Sequence, residues 1–256
     1  MRIVPWGLSD VGCKREHNED SLLVAPDLNL FAVADGMGGH VGGGRASKLA
    51  VETLEREIRA AELHQVASSG PDPEDPPGNV LSEATRTASR TIYDEAQEKT
   101  ELHGMGTTLT AILLHDGRAY LVHVGDSRCY LFRDGRIEQL TSDHSWIEEQ
   151  VRAGYMTADE AQQSSLKHVV TRSVGFEREV DVDALAMPVL MGDCYLLCSD
   201  GLSNYLNDAQ LRDYLIRGYY SEVPRRLVDT ANKLGGDDNI TVVVVYVAND
   251  SREDDG

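Results

Sequence analysis

The dipeptide Asp116-Gly117 lies between two apolar, β-patterned runs, Thr107–Leu114 and Ala119–Val124, and a third run, Cys129–Phe132, is followed by Asp134-Gly135. Asp-Gly supplies the positive φ angles that tight hairpin turns require. Connections this short leave no room for the helix that joins parallel strands. The middle of the chain therefore reads as an antiparallel meander, which excludes a strictly alternating βαβ architecture there.

The flanking segments extend this pattern. Strands are predicted at Ile3–Val11, Ser21–Ala25 and Leu30–Ala34, followed by a helix over Arg45–His64 in which Ala46, Leu49, Ala50, Leu54 and Ile58 recur at helical spacing. Ser68–Asn79 concentrates proline, glycine and acid and reads as an exposed loop, and a second helix is predicted over Val80–Leu102. Ser145–Ser165 returns to helical pattern, with Thr157 and Glu160 spaced as a capping box that would open a short helix. Strands follow at Val169–Ser173, Val182–Met187 and Cys194–Cys198, then helices over Asp208–Arg217 and Pro224–Leu234, a last strand, Ile240–Val247, and a frayed acidic tail, Asn249–Gly256. Antiparallel strands with helices grouped in blocks indicate a layered α+β domain, its helices covering the outer faces of the sheets.

Charge narrows the function. With 24 basic and 43 acidic residues the net charge is −19, so the surface repels nucleic acid and anionic membranes. The longest apolar run, Ile240–Ala248, is far too short to span a bilayer. The N-terminus lacks the continuous apolar core of a secretory signal, which predicts a cytoplasmic, reducing setting. Cys13, Cys129, Cys194 and Cys198 form no CxxC pair and read as buried thiols; none has an arginine six positions on, which removes the cysteine-phosphatase loop.

Four aspartates share one setting. Asp35, Asp126, Asp200 and Asp238 each sit at the end of an apolar stretch beside glycine or another turn former, in VADGMGG, VGDSR, CSDGL and GGDDNIT, and Asp20 in REHNED joins them. One such aspartate is a turn signal. Five form a set that turns alone do not require. All-carboxylate ligation favours magnesium or manganese over zinc or copper, and the acidic spacing of an EF-hand is absent. Two such ions side by side can activate a bridging water and brace an in-line displacement at phosphorus, and their charge lets so acidic a protein accept a phosphate dianion.

Arg15 has the planar fork that holds two phosphate oxygens, or it pairs with Glu16 or Glu19 at the surface. The glycines of DGMGGHVGGG fit neither nucleotide-binding spacing, but Gly36 would let its carbonyl approach a cation. His40 is placed either to protonate an alkoxide leaving group or to be satisfied at a helix start, and His144, in TSDHSW, has equally balanced alternatives.

These residues resemble the metal-dependent protein serine/threonine phosphatases of type 2C in their compact bacterial form. The match runs in order through R-E-H-N-E-D (15–20), V-A-D-G-M-G-G-H (33–40), G-M-G-T-T (104–108), V-G-D-S-R (124–128), L-T-S-D-H-S (140–145), T-R-S-V-G (171–175), L-C-S-D-G-L (197–202) and G-G-D-D-N-I-T-V (235–242). The resemblance implies a four-layer αββα sandwich: two central antiparallel sheets, a helix layer on each side, the metals at one end, and one catalytic domain over residues 1–248. It implies that Asp35 bridges two Mn2+ or Mg2+ ions, that Gly36 offers its carbonyl to the second, that Asp200 and Asp238 ligate the first, and that Asp126 with Asp200 binds a third. Asp20 resembles the carboxylate that orders metal-held water, and Arg15 the phosphate-gripping arginine. The helical insertion, about residues 145–166, falls where the family carries a flap over the site. Met37 stands where many eukaryotic relatives have a histidine, which leaves His40 or water as leaving-group acid. The implied activity is hydrolysis of phosphoserine and phosphothreonine in proteins by direct attack of a metal-bridged hydroxide, opposing a serine/threonine kinase. Two rivals remain at this level: a catalytically silent relative kept as a regulatory binding partner, which should have lost ligands although every position here is filled, and a calcium-stabilised binding module, which would not need Arg15.

Overall fold

The computed structural model of the chain describes residues 1–38, 42–61, 76–157, 160, 164, 166 and 169–249. Two five-stranded antiparallel sheets form its centre. In the first, β1 (Arg2–Asp10), β12 (Ile240–Ala248), β11 (Cys194–Cys198), β8 (Arg128–Arg133) and β9 (Arg136–Gln139) lie side by side in that order; in the second the order is β10 (Asp183–Pro188), β7 (Arg118–Val124), β6 (Leu109–His115), β3 (Leu30–Ala34) and β2 (Ser21–Ala25). A two-residue ladder joins β4 (Gly36–Met37) to β5 (Gly106–Thr107).

The central strands are apolar on both faces, and the alternation of their side chains builds four layers. Along β12, Val243, Val245 and Val247 face the inter-sheet core with Tyr195 and Leu197 of β11 and with Phe31, Val33, Ile112 and Leu114 of the opposite sheet. The intervening Val242 and Val244 point outward, with Leu196 of β11, onto the helices α4 (Asp200–Ser203), α5 (Asp208–Leu215) and α6 (Val223–Leu234). On the other side Leu30, Ala32, Leu109, Ala111 and Leu113 pack against α1 (Gly42–Ala60) and α2 (Pro76–Glu98). This is the expected αββα sandwich. Both Asp-Gly turns have the backbone they were read to have, with φ of 46° and 75° at Asp116-Gly117 and 50° and 72° at Asp134-Gly135.

Several local readings are corrected. The second helix begins at Pro76, not Val80, because two prolines stand at its first turn, where no amide is needed, and Pro77 is buried; the rest of the expected loop lies outside the described residues. That helix ends at Glu98, before a 3-10 turn, Thr100–Leu102. Val169–Ser173 is no strand: Val170 makes one isolated bridge to Ser145. After it, Val174 makes single bridges to Thr107 and Glu177. Strand β9 was missed because Arg-Ile-Glu-Gln at a sheet edge carries little apolar signal. Within 145–166, α3 spans Trp146–Arg152, and Thr157 and Glu160 exchange the hydrogen bonds of a capping box; the helix they would open falls outside the described residues, as does the acidic tail beyond Asn249. Cys13 is exposed, whereas the other three thiols are buried. Among the described residues no helix is long and apolar enough to cross a membrane.

Candidate active site

Antiparallel pairing gathers the aspartates. Ser21 at the start of β2 pairs with Ala34 at the end of β3, so Asp20 and Asp35, one residue beyond each, leave the same end of their sheet. In the facing sheet Cys198, at the end of β11, pairs with Val242 near the start of β12, which brings Asp200 and Asp238 to that end. The turn between β7 and β8 adds Asp126. A cavity of about 880 Å³ opens there, lined by Arg15, Asp35, Gly36, Asp126, Asp200 and Asp238 among others. Asp20 is not among the lining residues; it is partly buried overall, with its Oδ1 shut off from solvent. His40 lies outside the described residues.

Backbone packing sets the approach of these groups. A Cβ on Gly36 would stand 2.1 Å from the Gly43 carbonyl oxygen and 2.5 Å from that of Glu19, so glycine alone admits the start of α1 this close to Asp35. A Cβ on Gly201 would stand 2.0 Å from the Asn239 carbonyl oxygen. This contact seats α4 against the start of β12 and holds Asp200 beside Asp238.

Neutral side chains fix the backbone that carries the carboxylates. The Asp35 amide donates to Thr108 Oγ1 at 2.9 Å, and its carbonyl accepts from the Thr107 hydroxyl and the Thr108 amide, both at 2.8 Å. Thr108 Oγ1 also pairs with Ser127 Oγ at 2.7 Å, linking Asp35 to the Asp126 turn. Asn239 acts as a brace: its Oδ1 accepts from the Glu19 amide at 2.8 Å, and its Nδ2 donates to the Val11 and His17 carbonyls at 3.0 Å each. Sequence reasoning assigned no role to Thr107, Thr108, Ser127 or Asn239. Their one signal is adjacency to the motifs G-T-T, G-D-S and D-D-N.

The electrostatics are those of like charges pressed together. Burial, and then Asp20, Asp200, Asp126 and Asp238 in turn, push Asp35 well above the ordinary carboxylate range. Burial raises Asp126 to about 8, with Asp200 as the next cause. Burial also lifts Asp20 to about 7, against hydrogen bonding from Thr241 and Ser199. Asp20 Oδ2 accepts from Ser199 Oγ at 2.8 Å. Its Oδ1 is buried, and Thr241, whose hydroxyl also pairs with Ser9 Oγ at 2.7 Å, comes near the carboxylate without completing a hydrogen bond of good geometry to that oxygen. Arg15, half exposed, donates to Asp238 Oδ2 at 2.8 Å, so its ion-pair partner is neither Glu16 nor Glu19.

Without a cation, burial and mutual repulsion favour the protonated forms of Asp20, Asp35 and Asp126. The donor set, all oxygen, suits a hard divalent ion, and the buried lone pairs of Asp20 Oδ1 face the same need. Among the described residues no three carboxylate, imidazole or thiol groups close around one point as a ready-made cage. The acids instead stand apart around the cavity wall, which leaves positions for carbonyl oxygen, water and substrate.

Comparison with known proteins agrees with this geometry. The family model for protein phosphatase 2C matches residues 14–233. The serine/threonine protein phosphatase PstP of Mycobacterium tuberculosis is 38% identical over 242 residues, which cover 93% of this chain and 44% of PstP. The chain thus spans less than half the length of that relative. The serine/threonine phosphatase stp of Listeria innocua is 34% identical over 241 residues, 93% of each protein. The crystal structure of the PstP catalytic domain in complex with two manganese ions superposes with a TM-score of 0.84 at 36% identity, covering 96% of this chain and 99% of that one. On the family match, on relatives of this identity and on the shared sandwich, the chain belongs to the protein phosphatase 2C family of serine/threonine protein phosphatases.

Proposed function

We propose that this chain hydrolyses the phosphate monoester of phosphoserine and phosphothreonine in proteins, using manganese or magnesium ions held by the side chains of Asp35, Asp200 and Asp238 and the carbonyl of Gly36. The observation that carries the reading is the set of carboxylates forced together at one end of the sandwich beside a single arginine in the same cavity. Bound divalent ions supply a deprotonated water at neutral pH and positive charge beside the phosphoryl oxygens.

The remaining roles fall to the chain itself. Arg15 releases Asp238 and turns its two parallel N–H groups onto the phosphoryl oxygens, fixing the phosphorus and stabilising charge that develops there. Asp20, rigid between Ser199 and the core, accepts a hydrogen bond on Oδ1 from water inside the site and so orients it. Asp126 with Asp200 provides a further cation position. His40 is the proposed proton donor to the leaving alkoxide. Residues 145–166, which begin at the cavity rim beside Val170, serve as a flap that meets protein substrates. The biological partner is a serine/threonine kinase acting in opposition, and a cytoplasmic setting suits the three buried free thiols.

The test is phosphate release from a phosphothreonine peptide by the purified chain with manganese, with magnesium and with excess chelator. Metal-dependent turnover that disappears in chelator is expected. A folded protein inert with every divalent ion would overturn the reading in favour of a silent regulatory relative.

A further inference from the structure

His144 is not among the residues lining the cavity, yet the residue is only 5% exposed and each of its polar atoms is engaged. Nδ1 accepts from the Gly125 amide at 3.0 Å, and the His144 amide donates back to the Gly125 carbonyl at 2.7 Å. A peptide N–H can only donate, so Nδ1 is bare and the proton of the neutral ring sits on Nε2. Nε2 lies 3.1 Å from both Asp183 Oδ2 and Arg172 Nη1; with Nδ1 bare, the Nε2 proton goes to the Asp183 carboxylate, and Arg172 Nη1 gives its hydrogen bond to Asp183 Oδ1 at 2.7 Å. The His144 carbonyl accepts from the Thr171 amide at 2.8 Å. The ring lies 4.7 Å from that of His123, whose Nδ1 pairs with Thr110 and whose Nε2 meets the Ser142 carbonyl. Burial keeps the His144 pKa below its ordinary value, in keeping with a neutral acceptor.

Gly125 immediately precedes Asp126. Its φ of 111° and the 2.5 Å that would separate a Cβ there from the Thr108 side chain make the turn a glycine turn. Glycine permits that shape without holding it. The holding is done by one residue that grips both backbone polar groups of Gly125.

We propose that His144 is a positioning residue for the reaction: by clamping Gly125 it sets the Asp126 carboxylate for its cation, and through Asp183, Arg172 and Thr171 it couples that carboxylate to the segment that follows α3. The inference rests on the reading of Asp126 as a cation ligand. Removing an orienting group of this kind commonly costs 10- to 100-fold in metal affinity. The side-chain oxygen of asparagine falls close to Nδ1, whereas the end of glutamine falls near Nε2, so the two amides separate the Gly125 contact from the Asp183 contact.

Manganese binding to the full chain, followed by paramagnetic resonance of free Mn2+ and by calorimetry, tests this on the wild type, His144→Ala, His144→Asn, His144→Gln, Asp126→Ala and Asp126→Ala/His144→Ala. Expected are a loss of about tenfold or more in affinity at one site for His144→Ala and His144→Gln, recovery to within about threefold for His144→Asn, and no further loss when His144→Ala is added to Asp126→Ala. Wild-type binding by His144→Ala, or an additive loss in the double variant, overturns the proposal while leaving the Asp126 assignment intact. Unchanged binding by Asp126→Ala overturns that assignment and the proposal with it. Imidazole nitrogen chemical shifts of the wild-type protein give a readout that needs neither variant nor metal: a bare Nδ1 and a protonated Nε2 are expected, and the reverse tautomer overturns the clamp.

Discussion

At Asp20 one carboxylate oxygen is satisfied by Ser199 and the other is buried without a hydrogen bond. Raised carboxylate pKa values make this a statement about stability. With Asp20 at about 7 and Asp126 at about 8 in the fold, against about 3.9 when unfolded, the folded chain binds more protons than the unfolded one between those limits. Stability contributed by the protonated groups is full below about pH 4 and is lost as pH rises through 7 to 8. For the metal-free protein, a melting temperature in chelator at least about 3 °C higher at pH 5.5 than at pH 8.5 is expected, the shift that about 1 kcal/mol gives in a domain of this size, and saturating manganese should abolish the difference. Differential scanning calorimetry in the four conditions checks it. Arg15 makes the opposite case, because its exposed ion pair with Asp238 adds little to stability. Arg15→Ala should leave the melting temperature within about 2 °C while lowering kcat/KM on a phosphopeptide about 100-fold, with Arg15→Lys intermediate, since an ammonium keeps the charge and loses the parallel fork.

Among the elements, the ladder from β6 to β8 was the most legible, since Asp-Gly turns and two-sided apolar runs leave one reading. Pieces whose existence depends on tertiary contact were not. The β4–β5 ladder and the four-residue α4 are too short to carry a periodic signal, and Val169–Ser173 had the composition of a strand without a neighbour to pair with. The site shows the same division. Charged residues beside glycine announced themselves, while Thr108, Ser127 and Asn239, which tie down the backbone around them, look like any polar residue until the strands are paired. Gly201 illustrates the cost of disturbing such a junction. Gly201→Ala should force α4 off the Asn239 carbonyl, lower the melting temperature by about 5 °C or more, and raise the manganese concentration for half-maximal turnover at least tenfold; thermal melts and a metal titration read the two effects separately. Deleting Met156–Ser165, most of which lies outside the described residues, should reduce turnover of a phosphoprotein several-fold more than that of a small aryl phosphate, because only the large substrate reaches beyond the cavity. Equal loss on both substrates in parallel assays would give the segment a role at the ions instead.

For the molecule as a whole, the net charge of −19 and the carboxylates at the end of the sandwich act in one direction: both oppose the compact state, and divalent cations relieve the second. Manganese at about 100 times its dissociation constant adds about 2.7 kcal/mol per site, which for a domain of this size predicts melting about 5 to 10 °C higher than in chelator. A thermal-shift titration with manganese checks the size of the rise. The order of strands has a separate consequence. Strand β12 follows every other described strand in sequence yet lies between β1 and β11, and the loop that precedes it brings Asp238 to a cavity whose other walls include Arg15 and Asp35. The cavity wall is therefore incomplete until β12 is seated, so closing the first sheet and assembling the cavity are a single event.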